Sequence, residues 1–166
     1  MDLGFAGEVA VVTGASKGIG AACARLLALE GARLVLVARN KVYLDNLAKE
    51  LLNKSKAEVV SVSADLSKIG SAEKVVKAAV EKFGRIDVLI NSAGSSQGGI
   101  FEELPENVWN DALQLKFLGA VRMVRAVLPV MRAQQHGRIV NIAGNTGRQP
   151  HPRLLPGSAA NAALLS

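Results

Sequence analysis

The sequence predicts an α/β protein built on a doubly wound parallel sheet. Three observations lead there. Short β-branched and aliphatic runs alternate with longer helical stretches. The strand runs are apolar almost throughout, as strands covered on both faces are. A glycine-rich turn, Thr13 to Gly20, separates the first strand run from the first helical one. Alternating β and α elements of this kind fold as a central sheet between helical layers, with right-handed crossovers.

In chain order, strands are predicted over 8–13, 33–38, 59–63, 88–91 and 138–143, and helices over 19–29, 41–52, 72–83 and 106–133. Gly31, Gly84 and Gly137 follow helical stretches, where a C-terminal cap favours glycine. Pro105 suits the first turn of the long helix, and Pro129 should kink that helix or weaken its last turns. A last helix begins near Ser158, and the sequence stops about two turns into it. With no repeat, linker or low-complexity segment, one dinucleotide-binding domain over 1–166 is expected. It ends inside the helix after the fifth strand and leaves that strand as a bare sheet edge, as a C-terminally incomplete chain would.

The chain has 166 residues and 49% hydrophobic residues, enough for a real core, but only 4% aromatics, so the core must be aliphatic. No run is long and apolar enough for a membrane span, and residues 1–7 do not resemble a secretory signal. The single cysteine, Cys23, excludes an internal disulfide and fits a cytoplasmic location. The net charge of +6 is uneven: residues 112–166 carry Lys116, Arg122, Arg125, Arg132, Arg138, Arg148 and Arg153 and no acidic residue. Such a block is a solvated helix face with cofactor-phosphate contacts, or the mark of an anionic partner such as an acyl carrier or a CoA-type substrate. No aromatic stacking platform accompanies it, which argues against nucleic acid. His136 and His151 read as surface histidines, without metal-ligand partners at suitable spacing.

The turn carries the most chemistry. Backbone N–H groups beside a helix N-terminus make a phosphate site. Gly14 permits the turn, Gly18 lets backbone approach a pyrophosphate, and Gly20 lets the helix pack on the sheet. Asp65, after the third strand, can accept from an adenine amino group or cap a turn. Asn91, Ala93 and Gly94 let the end of the fourth strand approach the loop, or are ordinary turn residues. Arg39 follows the second strand, where a carboxylate would bind the ribose 2′-hydroxyl of NAD. Its planar fork, with Lys17 nearby, suits a 2′-phosphate instead, so NADP(H) is preferred and NAD(H) is the alternative.

With these residues in view, the sequence resembles the short-chain dehydrogenase/reductase family. "TGASKGIG" is similar to its cofactor loop, "ADLS" around Asp65 to its adenine-side motif, "NSAG" from Asn91 to its N-N-A-G segment, and "GRIVNIAG" from Gly137 to its fifth strand. The resemblance implies a Rossmann-like three-layer α/β/α fold with strand order 3-2-1-4-5. It implies cofactor contacts at Gly14, Ser16, Lys17, Gly18, Ile19, Gly20, Arg39, Asp65, Leu66, Asn91, Ala93 and Gly94, and a homo-oligomer built on the long helix. It also exposes departures. With Trp109 and Gly119 setting the register, Lys116 stands at the family's helical asparagine, Gly144 at its serine, Gly157 at its tyrosine and Asn161 at its lysine. The only tyrosine, Tyr43, is expected far from the chemistry.

Hydride transfer to a carbonyl leaves an alkoxide that needs a proton donor, and neither glycine has a side chain to supply one. Lys116 and Asn161 look like the family's Asn and Lys exchanged, so they, with Ser158, become the candidate catalytic groups; no metal is called for. Asn145 and His151 are further polar groups near these positions. Three functions follow: an NADP(H)-dependent oxidoreductase of carbonyls or alcohols with an atypical site, a non-catalytic NADP(H)-binding sensor or partner subunit, or an interaction protein using the long helix.

Overall fold

In the computed structural model, which describes residues 3–166, five strands form one sheet among the described residues: β1 (Val9–Thr13), β2 (Arg33–Ala38), β3 (Val59–Ser63), β4 (Val88–Asn91) and β5 (Arg138–Asn141). Their order is β3-β2-β1-β4-β5, and the pairings are parallel. The helices are α1 (Gly18–Leu29), α2 (Lys41–Ser55), α3 (Ser71–Phe83), α4 (Glu106–Ala112), α5 (Gly119–Ala133) and α6 (Leu155–Leu165). The order reverses at β1/β4, where the carboxyl ends of the strands open a crevice.

The apolar strands explain the layers. On one face Ala10, Val12, Leu34 and Leu36 pack against Ala24 and Ala28 of α1 and Leu44, Leu47 and Leu51 of α2. On the other, Val9, Val11, Val35 and Val37 pack against Val75 and Ala79 of α3 and Met123, Val127 and Met131 of α5. Alternation along a strand sends neighbours to opposite faces, so a run without polar residues requires both layers. Gly31 and Gly84 follow α1 and α3 at φ +84° and +74°, as expected of capping glycines. β5 is paired only with β4, leaving Val140 exposed on the open edge.

The structure departs from the sequence expectations at several points. The long helix is not one α-helix: Leu113–Leu118 between α4 and α5 is wound as a π-helix. Arg122 donates to the Gln114, Leu66 and Ser67 carbonyls and to Gln114 Oε1, so a released carbonyl still finds donors. α5 runs through Pro129 to Ala133, because Val127 and Met131 are buried on either side of the proline. Pro105 is the N-cap residue of α4, one place before its first turn. Gln135, at φ +53°, takes the left-handed position after α5. Gly137 serves close packing instead: a Cβ there would lie 2.5 Å from Met131 Sδ. α6 starts at Leu155, ahead of Ser158, and β5 stops at Asn141.

At the amino ends of the strands, the fully buried Asp87 accepts from Val9 N–H at 2.8 Å and from the Arg85 fork at 2.8–3.0 Å, with Gln134 Nε2 at 3.2 Å. Burial opposes its ionisation, but the Arg85 and Val9 hydrogen bonds and the charges of Arg85 and His136 outweigh burial and hold its pKa below the usual aspartate value. A depressed folded-state pKa contributes stability that is present above the unfolded value near ~4 and is lost as pH falls below it. Asp87→Ala should therefore destabilise the fold by about 3 kcal/mol at pH 7, with the gap to wild type narrowing as pH falls below about 4. Urea unfolding across pH checks this; a gap independent of pH contradicts it.

Candidate functional site

A cavity of about 560 Å³ lies at the carboxyl ends of the strands, where the sheet order reverses. Its first wall is the turn after β1. Thr13 is fully buried; its Oγ1 accepts from Ser92 N–H and Ala93 N–H at 3.0 Å each and donates to Ile90 O at 3.3 Å. This ties β1 to β4 and brings Gly14 so close that a Cβ there would lie 2.7 Å from Ser92 O. Gly20 returns α1 onto the turn, with its missing Cβ only 2.5 Å from Gly14 O. No side chain caps α1, and its first turn holds no acidic residue, so its positive end faces the cavity uncompensated.

Gly14, Ser16, Lys17, Gly18 and Ile19 line this wall, and Gly20 lies behind it. Arg39 lines the second wall beside Lys17, Leu66 the third, and Asn91, Ala93 and Gly94 the fourth. Ten of the twelve cofactor candidates thus meet on one cavity. Asp65 does not line it; its Oδ1 accepts from Ser67 N–H at 3.0 Å and Ser67 Oγ at 2.8 Å, the turn-capping arrangement. Burial raises its pKa, and the Ser67 hydrogen bonds with the charges of Arg39 and Lys68 lower it further than burial raises it. Tyr43 and Asn40 line the cavity next to Arg39, although sequence reasoning set Tyr43 aside. Asn40 caps α2 by accepting from Tyr43 N–H at 3.2 Å, and an Asn ahead of a helical run was the signal available for that turn.

Lys116 reaches the cavity from the π-helical segment. Its Nζ would lie 3.0 Å from a Cβ on Gly94, so that glycine makes room for it. Burial pulls its pKa below the ordinary lysine value. Asn161 does not meet it across the cavity. It is buried, its Oδ1 accepting from Gly144 N–H at 3.1 Å and its Nδ2 donating to Thr146 Oγ1 at 2.9 Å. Ser158 is buried and donates to Leu154 O at 2.9 Å within its own helix. Gly144 lines the cavity; Gly157 does not, and a Cβ on it would lie 3.0 Å from Ser96 Oγ. Each glycine is thus filled by a neighbour: Gly144 by Asn161, whose Nδ2 is 2.6 Å from the missing Cβ, and Gly157 by Ser96.

The histidines lie elsewhere. His151 Nδ1 accepts from Arg153 N–H at 3.2 Å in an exposed loop. His136 meets Glu8 at 3.2 Å, and with Asp87 their ligand atoms fall within 4.8 Å of one another, a grouping that sequence spacing did not suggest. Arg85 and Val9 N–H occupy the Asp87 oxygens, so this is an ion-pair cluster at the opposite end of the strands from the cavity.

Comparison with known proteins adds four findings. Residues 8–166 match the family model described as short chain dehydrogenase. A Streptomyces virginiae protein, named as a ketoacyl reductase of the monensin polyketide synthase, is 41% identical over 144 residues, 86% of this chain and 55% of that one. The structure of L-sorbose reductase from Gluconobacter frateurii complexed with NADPH and L-sorbose is similar at TM-score 0.96 and 36% identity, covering 99% of this chain and 63% of that one. NAD+-bound xylitol dehydrogenase is similar at TM-score 0.93 and 29% identity, covering 98% and 62%. The chain thus spans 55–63% of the length of these relatives. Among the described residues, no helix is long and apolar enough to cross a membrane.

The Gly144–Asn161 contact makes a testable pair. Gly144→Ala should destabilise by about 1–3 kcal/mol, because Thr146 and Gly144 N–H hold the Asn161 amide in place. In an Asn161→Ala background the added methyl should be better tolerated, giving a coupling of at least about 0.5 kcal/mol in a double-mutant cycle. Additive effects contradict the pairing.

Proposed function

The chain belongs to the short-chain dehydrogenase family, and on that premise we propose that it is an NADP(H)-dependent oxidoreductase of a carbonyl or alcohol substrate, with an atypical active site. The observation that carries the proposal is the charge pattern of the cavity: Lys17 and Arg39 stand beside the glycine turn, and no described lining residue is acidic. An aspartate at the end of β2 would favour the ribose diol of NAD; the Arg39 fork favours a 2′-phosphate. The residues fit such a cofactor. The close approaches at Gly14 and Gly20 leave bare backbone at the positive end of α1, a cradle for pyrophosphate. Tyr43 and Leu66 supply apolar surface at the Arg39 end. On this reading residues 1–166 are the dinucleotide-binding domain.

When bound, the nicotinamide supplies or accepts a hydride. The protein's part is to place the substrate and manage a proton. Lys116 Nζ is the one ionisable group among the described lining residues of the β4–β5 end, and it is the proposed proton holder. Its pKa lies below the ordinary lysine value, which makes the proton easier to release to an alkoxide. Asn161 acts as a positioning residue, holding Gly144 and Thr146 so that the segment after β5 keeps its shape. Ser158, tied to Leu154 O, is left out of the mechanism.

One observation favours a second reading, a cofactor-binding protein without turnover: Gly144 and Gly157 present no donors, and Asn161 and Ser96 fill their places. Binding of NADPH without consumption, over a panel of carbonyl compounds, would select it. For either reading, a fluorescence titration should find NADPH bound more tightly than NADH. Arg39→Asp should reduce the NADPH-to-NADH affinity ratio by about tenfold or more, roughly 1.4 kcal/mol. A ratio that does not move removes Arg39 from cofactor selection.

A further inference from the structure

The cavity carries three cations, Lys17, Arg39 and Lys116. The first two are accounted for by the 2′-phosphate of the proposed cofactor. Lys116 is not. It enters at the opposite, β4–β5 end, against Gly94, and makes no hydrogen bond or ion pair among the described residues. Burial alone moves its pKa, and no carboxylate stands near enough to move it back. The surrounding sequence offers none either, since residues 112–166 contain no Asp or Glu. A half-buried ammonium without a counter-ion is unfavourable, and a ligand that brings one is favoured.

A second group on the same wall is also unpartnered. Asn91 is 5% exposed, and its Oδ1 has no hydrogen-bond partner. Its Nδ2 donates to Asn141 Oδ1 at 2.9 Å, which orients the amide. That oxygen is buried beneath the wall, so what this end of the cavity presents to a ligand is the uncompensated cation.

We infer that the substrate is an anion, an oxo acid or the corresponding hydroxy acid, whose carboxylate pairs with Lys116 Nζ. The inference rests on the cavity being a nicotinamide site and names the substrate class for it. An ammonium has three N–H donors. One can hold the carboxylate while another reaches the oxo oxygen of the same molecule, provided the two groups are adjacent or one carbon apart. In the reducing direction a hydride adds to the carbonyl carbon, the oxygen takes a proton from Lys116 Nζ, and the amine regains a proton from solvent. NADPH is the reductant, and NADP+ and the hydroxy acid are the products.

The test uses the NADP+-saturated protein, which cannot reduce an oxo acid, and ligand-observed NMR titration with acetoacetate and pyruvate, each against its methyl ester. The acids should bind about tenfold more tightly than the esters at pH 7. The preference should vanish in Lys116→Met, persist in Lys116→Arg, and fade as pH rises through the depressed pKa of Lys116. Thermal melts of both variants establish that they fold; should Lys116→Met not fold, the Lys116→Gln variant and the pH series on wild type carry the same test. Equal affinity for acid and ester, or a preference that survives Lys116→Met, overturns the inference and leaves the proposed cofactor standing. Failure of the wild-type protein to bind NADPH overturns both.

Discussion

The Thr13 hydroxyl is the clasp on which the site depends. It is fully buried at the junction of β1 and β4 and makes three hydrogen bonds, two accepted from consecutive backbone N–H groups and one donated. Alternation buries Val9 and Val11 on one face and Ala10 and Val12 on the other, which brings Thr13 to the carboxyl edge, where the crevice opens. Because the N–H groups of Ser92 and Ala93 find no strand partner there, the hydroxyl satisfies half-buried donors that the sheet leaves unpaired. The close approach at Gly14 follows from this clasp, and the return of α1 past Gly20 follows from Gly14. The opposite wall is built the same way: Gly94 is held two residues past Ser92, and Lys116 rests where a side chain on Gly94 would be.

The residues that set this chain apart from the family pattern are packed rather than missing. Gly144 and Asn161, Gly157 and Ser96, and Gly94 and Lys116 form three pairs in which the larger member uses the space the glycine leaves. A larger residue at 144 would meet an amide anchored at both ends. Interiors tolerate little volume change, so such pairs must alter together. A site that had lost its residues without compensation would show cavities or unmatched polar groups at these glycines. The unmatched group that a ligand can reach is Lys116, on the cavity wall.

Much of this was legible in the sequence. Strands β2, β3 and β4 run over the expected residues because uninterrupted aliphatic runs have one stable use, a sheet covered on both sides. The loop, Lys17, Arg39 and the Asn91–Gly94 segment were legible because a glycine turn between strand and helix has few geometries. The π-helical turn was not legible: residues 106–133 carry one continuous helical periodicity, and the extra residue per turn is held by tertiary contacts, Arg122 to the Leu66 and Ser67 carbonyls and Gly119 against Leu66 O, that lie far apart in sequence. The same limit applies to Asn161. It was a candidate catalytic group as the counterpart of Lys116 in an apparent exchange, whereas its partners, Gly144 and Thr146, come from the segment after β5. Tyr43 was discounted by its distance along the chain from the fourth and fifth strands, yet the cavity extends along the crevice to α2.

We propose that one continuous cavity, clasped at Thr13, seats a phosphorylated dinucleotide with its nicotinamide toward Lys116. A crystal structure of the protein with NADPH tests it most directly. The pyrophosphate should lie over the turn from Gly14 to Gly20, the 2′-phosphate between Lys17 and Arg39, and the nicotinamide at the wall formed by Gly94, Lys116 and Gly144. A cofactor bound in the reverse sense, bound outside this cavity, or held without contact to Arg39 would contradict it.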